Sequence, residues 1–360
     1  MVTTDSEPFS PTVVQWLLDT RPLWPVSGKL KFKEEVEELK TVASRALSFL
    51  SESEKASVLR YYHLKDAKMS LASHLLKHLV ITKYCNVPWS QSTISRDTNG
   101  KPCFIPTGAT KPVTMDFNVS HQAGIVSLIA SIGFDVKVDV GTDVVCANER
   151  ELHDYAHIEK QGFFDWVDMH GDVFAESELN YMKLSPVLLN DEIPTERLSG
   201  YARDAVSRCQ WRNAKLNLKI AATDGQESTV QVNSNIVVDK KLRRFYAMWC
   251  LREAYVKMTG EALLAPWLKD LEISEAQAPD AATDMQDSNS LTRGEVVKDF
   301  KIIFKGREVT DVKMELSALG SAYMVAGSLR VPKGNLDLRM GPWLDLKLEA
   351  DILAVAERSL

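Results

Sequence analysis

Four short stretches combine carboxylates, amines and hydroxyls at spacings that suit phosphate chemistry. In Trp249-Cys-Leu-Arg252-Glu253-Ala-Tyr-Val-Lys257, positions 249, 253 and 257 lie four apart and project from one face of a helix. A carboxylate and an ammonium one turn apart can serve a divalent cation and a phosphate oxygen. An ordinary Glu–Lys pair beside a buried tryptophan is the simpler reading. Val140-Gly141-Thr142-Asp143-Val144-Val145 sets a carboxylate in an apolar run, which is costly unless the group is paired or bound to a metal. A turn aspartate explains the same letters. Asn118-Val119-Ser120-His121-Gln122 brings two carboxamides, a hydroxyl and an imidazole to the end of another apolar run, where they could contact phosphate or metal. A structural histidine is the competing reading. Ser120 and His121 do not form a nucleophile pair, because neighbours on a strand point to opposite faces. The fourth cluster is cationic: Arg60, Lys65 and Lys68, followed by Arg96 and Lys101 around an Asn99-Gly100 turn. Guanidinium and ammonium donors suit phosphate oxygens, although a solvated helix face and a surface turn would look alike.

These residues need elements to hold them. Leu39, Val42, Ala43, Ala46, Leu47 and Leu50 recur at helical spacing, and Ser51-x-x-Glu54 reads as a capping box for the next helix. Ala67, Leu71, Leu75, Leu76, Leu79 and Val80 predict a helix carrying the lysines. Phe117–Val119, Ile125–Ile132 and the alternating Asp135–Val145 read as strands, as do Phe300–Phe304 and Ala322–Leu329. Glu149–Lys183 looks helical, and Arg243–Gly260 predicts a helix stopped by Gly260. Ala276–Arg293 is poor in apolar residues and reads as a mobile surface loop. The order implies an α+β protein of two lobes, 1–138 and 139–360, with insertions about 184–240 and 274–296.

Composition bounds the function. With 360 residues, 45% hydrophobic and 26% charged, the chain is in the globular range. Its net charge of -6 argues against a general nucleic-acid binder but allows a local basic pocket. Five scattered cysteines with no C-x-x-C pair speak against a disulfide framework or a structural zinc site. The acidic start lacks the apolar core of a signal peptide, and no run approaches the ~18 apolar residues of a membrane span. A cytoplasmic location is expected.

Taken in order, Gly100-Lys101-Pro102, Asn118 to Gln122, Val140 to Asp143 and Trp249 to Lys257 resemble the 4'-phosphopantetheinyl transferases of the Sfp type. The resemblance is close to the broad-range kind of fungi and animals. It runs from Arg60 to Asp143 and resumes from Phe245 to Leu271.

The resemblance implies two similar lobes related by a pseudo-twofold, with coenzyme A as co-substrate in the cleft between them. The expected activity is that of a holo-[acyl-carrier-protein] synthase. It modifies acyl and peptidyl carrier domains of synthases and of an aminoadipate-type reductase, as a monomer without nucleic acid or membrane. Arg60, Lys65, Lys68, Arg96 and Lys101 fall where the family holds phosphates, and Ser120 and His121 where it meets the 3'-phosphate. Asp143 and Glu253 match the magnesium (Mg2+) carboxylates, and Lys257 the lysine near the transferred phosphate. Glu178 falls at a short acidic motif. Val145 replaces the second acid of bacterial members and cannot ligate, so Gln122 is the candidate for that place. Arg252 stands where a lysine is usual, a change expected to matter little. A magnesium-dependent phosphohydrolase and a non-catalytic carrier-binding protein are the alternatives.

Overall fold

The apolar segment near the start is a strand, β1 (Thr12–Asp19). In the computed structural model, residues 10–27, 31–106, 113–189, 198, 200–221, 227–261, 265–274, 276–282, 291–298, 300–333 and 337–359 are described. Three short helices follow β1: α1 (Phe32–Val42), α2 (Ser44–Ser48) and α3 (Glu52–Leu59). The expected capping box opens α3, with Ser51 N–H donating to Glu54 Oε2 at 2.9 Å. Next comes the long helix α4 (Leu64–Cys85), and then a hairpin of β2 (Ile94–Arg96) and β3 (Pro102–Phe104). The strands β4 (Met115–Gln122) and β5 (Ile125–Ile132) are joined by Ala123 and Gly124, both at positive φ as a tight hairpin requires. β5 pairs along its length with β1, and α4 packs on β4 and β5.

The second half begins with β6 (Val140–Cys146) and the helices α5 (Glu151–Gln161), α6 (Phe163–Asp168), α7 (Glu176–Leu184) and α8 (Tyr201–Ser207). A hairpin of β7 (Lys215–Ala221) and β8 (Glu227–Asn233) leads into the long helix α9 (Ser234–Thr259), which ends at Gly260 in the left-handed region. The remaining strands are β9 (Leu271–Ser274), β10 (Arg293–Val297), β11 (Lys301–Phe304), β12 (Arg307–Glu308), β13 (Val312–Leu319), β14 (Tyr323–Arg330) and β15 (Trp343–Asp345). A π turn over Leu348–Leu353 precedes the last helix, α10 (Ala354–Arg358). Two four-stranded sheets result, ordered β15-β1-β5-β4 and β10-β13-β14-β6, with α9 packed on β6 and β14.

The fold departs from expectation in four places. The alternation over 135–139 lies before the strand, which starts at Val140. The helix expected from Arg243 starts at Ser234, because buried cations interrupt its apolar pattern. Lys241 Nζ donates to the carbonyls of Lys183, Ser207 and Cys209 at 2.6–3.0 Å. Arg244 holds Ser185 O, and Arg243 holds Pro279 O and Ser321 O. The contacts of Lys241 and Arg244 tie the 184–240 insertion to α9; its residues 190–197, 199 and 222–226 lie outside the described ones. The Ala276–Arg293 run is not wholly a surface loop, since Ala276 and Pro279 are buried and Arg293 opens β10. Residues 275 and 283–290 of the 274–296 insertion lie outside the described ones.

The boundary at 138/139 is also crossed. β15 pairs in parallel with the free edge of β1, and Leu348, Ile352, Leu353 and Ala356 enter the core around α4. Arg45 pairs with Glu349 and Glu357 on this returning segment. The end of the chain thus completes the first sheet rather than the second. Among the described residues no helix is long and apolar enough to cross a membrane.

Candidate functional site

Alternate residues of β4 stitch the two sheets together. Asp116 Oδ2 accepts from Val140 N at 2.9 Å, Asn118 Oδ1 from Thr142 N at 3.2 Å, and Gln122 Oε1 from Cys146 N at 3.2 Å. Ser120 Oγ sits in the same row and donates to Asp143 Oδ1 at 2.7 Å. The polar residues at period two on a strand otherwise packed in the core are the sequence signal for this seam. Asp116 was missed in the sequence because it precedes the recognisable motif.

Helix α9 completes the site from the other side. Lys257 Nζ donates to Asp143 Oδ1 at 2.6 Å and to Ser120 Oγ at 2.9 Å, and lies 4.0 Å from Glu253 Oε2. This approach needs Gly141. A Cβ there would lie 2.1 Å from Ala254 O and 2.4 Å from Met258 N, so the α9 backbone rests directly on β6. Ser328 Oγ fastens the contact by donating to Ala254 O at 2.8 Å. Trp249, on the same helix face, packs with Phe174 and Phe245.

Burial raises the Glu253 carboxyl above its ordinary value; Lys257 opposes the shift and Asp143 adds to it. Burial alone would lower Lys257, but Asp143 and Glu253 hold it above its ordinary value. Two hard carboxylates sharing one ammonium form a site with charge to spare for a cation. Among the described residues no group of three or more His, Cys, Asp or Glu side chains gathers into a metal cage. One or two carboxylates completed by phosphate and water is the set magnesium uses, so the pair fits that ion. Gln122 is engaged at both ends, with its Nε2 donating to Glu149 at 2.9 Å. Its amide oxygen keeps one lone pair beyond the Cys146 bond.

The expected phosphate ligands are not gathered in one place. Lys65 is exposed and pairs with Glu149 at 2.8 Å, which also ties it to Gln122. Arg96 is exposed and donates to Gly100 O at 2.6 Å. Arg60 caps the end of α3. Lys68 is buried, which lowers its pKa, and it makes no hydrogen bond or ion pair with a described residue. Lys101 does not point to a ligand: its side chain is 4% exposed, donates to Val140 O at 2.9 Å and is paired with Asp116. This lysine holds the β2–β3 hairpin to the seam, so its ammonium is already neutralised. Ser120 and His121 are separated by strand alternation. Ser120 joins Asp143 and Lys257, while His121 is exposed on the side of Phe117 and Val119.

Two residues of the resemblance are structural. Glu178 is buried and accepts from Ala175 N at 2.9 Å and Ile273 N at 3.0 Å. Arg252, fully buried, pairs with Glu178 and donates to the carbonyls of Leu268 and Leu271. Its second arm makes a lysine there a poor substitute, so the Arg is not a neutral change.

Residues 38–133 match the family described as 4'-phosphopantetheinyl transferase, N-terminal. A 4'-phosphopantetheinyl transferase of Aureobasidium melanogenum is 41% identical over 95% of this chain and 96% of that protein. The 4'-phosphopantetheinyl transferase 1 of Fusarium mangiferae is 38% identical over 97% of each. An L-aminoadipate-semialdehyde dehydrogenase-phosphopantetheinyl transferase of Schizosaccharomyces pombe is 31% identical over 37% of this chain and 48% of its own.

Proposed function

Because the chain belongs to the 4'-phosphopantetheinyl transferase family, we propose that it moves the 4'-phosphopantetheine arm of coenzyme A to a serine of a carrier protein domain. The observation that carries this reading is the joining of Asp143, Glu253, Lys257 and Ser120 where β4, β6 and α9 meet.

The carrier hydroxyl attacks the phosphorus that bears the pantetheine arm. The P–O bond to the adenosine half breaks and 3',5'-ADP leaves. Such a transfer is mostly a matter of positioning and charge. Asp143 and Glu253, with Gln122 as a further oxygen donor, would hold magnesium, which when bound neutralises the pyrophosphate. Glu253 accepts the serine proton, directly or through water. Lys257 donates to the leaving phosphate as charge develops, exchanging part of its bond to Asp143. Lys65, Lys68, Arg60, Arg96 and His121 remain candidates for the rest of coenzyme A.

The reading extends to architecture and partners. Each four-stranded sheet carries one long helix, α4 or α9, which supports two lobes of pseudo-twofold kinship with the chain end returned to the first. Peptidyl and acyl carriers of synthases and an aminoadipate-type reductase are the proposed acceptors, the latter on the strength of the Schizosaccharomyces pombe relative. Incubation with magnesium, coenzyme A and several apo carriers tests the reading. A carrier mass gain of one phosphopantetheine arm supports it, and free phosphopantetheine without carrier gain would instead mean hydrolysis.

A further inference from the structure

Just beyond the end of β6, one carboxylate holds two residues of the first half of the chain at once. Glu149 Oε2 accepts from Gln122 Nε2 at 2.9 Å, and its Oε1 pairs with Lys65 Nζ at 2.8 Å. The backbone of Glu149 is fixed as well, because its N–H donates to Cys146 O at 3.2 Å in the turn that leaves the strand. Cys146 N donates in its turn to Gln122 Oε1 at 3.2 Å. Gln122, Cys146 and Glu149 thus close a ring of hydrogen bonds across the join between β4 and β6.

This ring decides which way the Gln122 amide faces. With the amide reversed, its NH2 would meet the Cys146 N–H and its oxygen the Glu149 carboxylate, donor against donor and acceptor against acceptor. The oxygen is therefore directed to β6, two residues beyond Ser120 on the face of β4 that also meets Asp143. The partner at the nitrogen carries a full negative charge. An amide N–H given to a carboxylate shifts electron density onto the carbonyl oxygen, as linked hydrogen bonds polarise one another. The Glu149 side chain is 24% exposed, so water screens this charge only in part. Lys65 balances the carboxylate through its other oxygen, from the solvent side.

We infer that Glu149 is a positioning residue of the reaction: it locks the Gln122 amide and makes its oxygen a stronger ligand for the divalent cation, without itself touching cation or substrate. This rests on the reading above in which Gln122 is an oxygen donor to that ion. Partners behind a metal ligand set affinity in this way, and losing one typically weakens binding roughly 10- to 100-fold.

The test uses Mn2+ alone as the probe, with the free ion read from its electron paramagnetic resonance signal. It compares wild type, Glu149→Gln, Gln122→Ala, the double variant and Lys65→Met. Glu149→Gln keeps an acceptor for Gln122 but loses the charge, so it should weaken Mn2+ binding roughly 10-fold. It should also melt close to wild type, since an exposed ion pair adds little to stability. Gln122→Ala should weaken binding too, and adding Glu149→Gln to it should bring no further loss. Losses that add would mean that Glu149 acts by long-range charge or as a ligand, and would overturn the inference. Lys65→Met should bind Mn2+ no more weakly than wild type. A loss equal to that of Glu149→Gln would make the Lys65 pair the working contact and would overturn it too, as would unchanged affinity in Glu149→Gln or a wild type that binds no Mn2+. Carrier modification is read separately, with magnesium and coenzyme A. Its absence in wild type would sink the transferase reading, while the Mn2+ pattern would still decide the role of Glu149.

Discussion

Gly141→Ala tests how the site is assembled. The new methyl would lie 2.1 Å from Ala254 O and 2.4 Å from Met258 N, where real Cβ contacts are essentially never under 3.0 Å. These are backbone atoms of α9, so no side chain can swing aside. The helix must retreat from β6 by about 1 Å, and it carries Glu253 and Lys257 with it. Lys257 now reaches Asp143 at 2.6 Å and Ser120 at 2.9 Å, so such a shift stretches both bonds beyond good geometry. Overpacking of this kind costs about 1–3 kcal/mol of stability. A misplacement of ~1 Å in a positioning contact can cost about 100-fold in rate.

The assay is initial-rate carrier modification with saturating coenzyme A, beside thermal unfolding. Gly171→Ala is the control, because its Cβ would meet its closest neighbour, Asp168 O, at 3.1 Å, with no second close backbone contact. Gly141→Ala should lose turnover by about two orders of magnitude and melt a few degrees lower, whereas Gly171→Ala should do neither. Wild-type turnover in a folded Gly141→Ala protein would refute the claim that close helix–strand approach builds the site.

Other perturbations address single groups. Asp143→Ala and Glu253→Ala should each abolish carrier modification while circular dichroism stays that of wild type; retained turnover in either would remove that carboxylate from the chemistry. Gln122→Ala should raise the magnesium concentration needed for half-maximal rate, and an unchanged titration would exclude it as a ligand. Lys241→Met leaves three buried carbonyls without a donor and should lower stability on the order of 3 kcal/mol in urea unfolding, at ~1 kcal/mol or more each. Burial would raise the Glu54 carboxyl, but the His78 hydrogen bond and the His74 imidazole 3.3 Å away hold it well below its ordinary value. That stability is present above the unfolded carboxylate pKa of about 4.3 and is lost as pH falls toward the folded one. Burial also lowers His74, so stability begins to decline below about 6.5, where the unfolded imidazole takes up its proton more readily. Unfolding across pH should show both limbs in wild type and a flattened lower limb in Glu54→Gln.

Local signals in the chain were reliable where one physical cause acted alone. The Ser51–Glu54 box opens α3 as read, and Gly260 ends α9 in the left-handed region as its lack of a Cβ allows. β5 stands where its apolar length puts it, and β4 extends the expected Phe117–Val119 to Met115–Gln122. The reading failed where tertiary contacts override composition. The first turns of α9 look too charged for a core helix, yet Lys241 and Arg244 are buried because the carbonyls of the insertion satisfy them. The return of β15 and α10 to the first sheet has no local mark, since only an open strand edge elsewhere in the chain explains it.

The residue types of the site, Ser120, Asp143, Glu253 and Lys257, and the helix that spaces the last two, are written in the sequence, because side-chain chemistry and helical repeat are local properties. Which of the cations face a ligand is not. Lys101 reads as a phosphate ligand and is a buried partner of Asp116, whereas Lys68, read the same way, makes no hydrogen bond or ion pair with a described residue. Gly141 looks like one more turn glycine until α9 is laid against it. Distance between segments far apart in the chain decides whether a charge is neutralised or free, and the folded packing alone determines that distance.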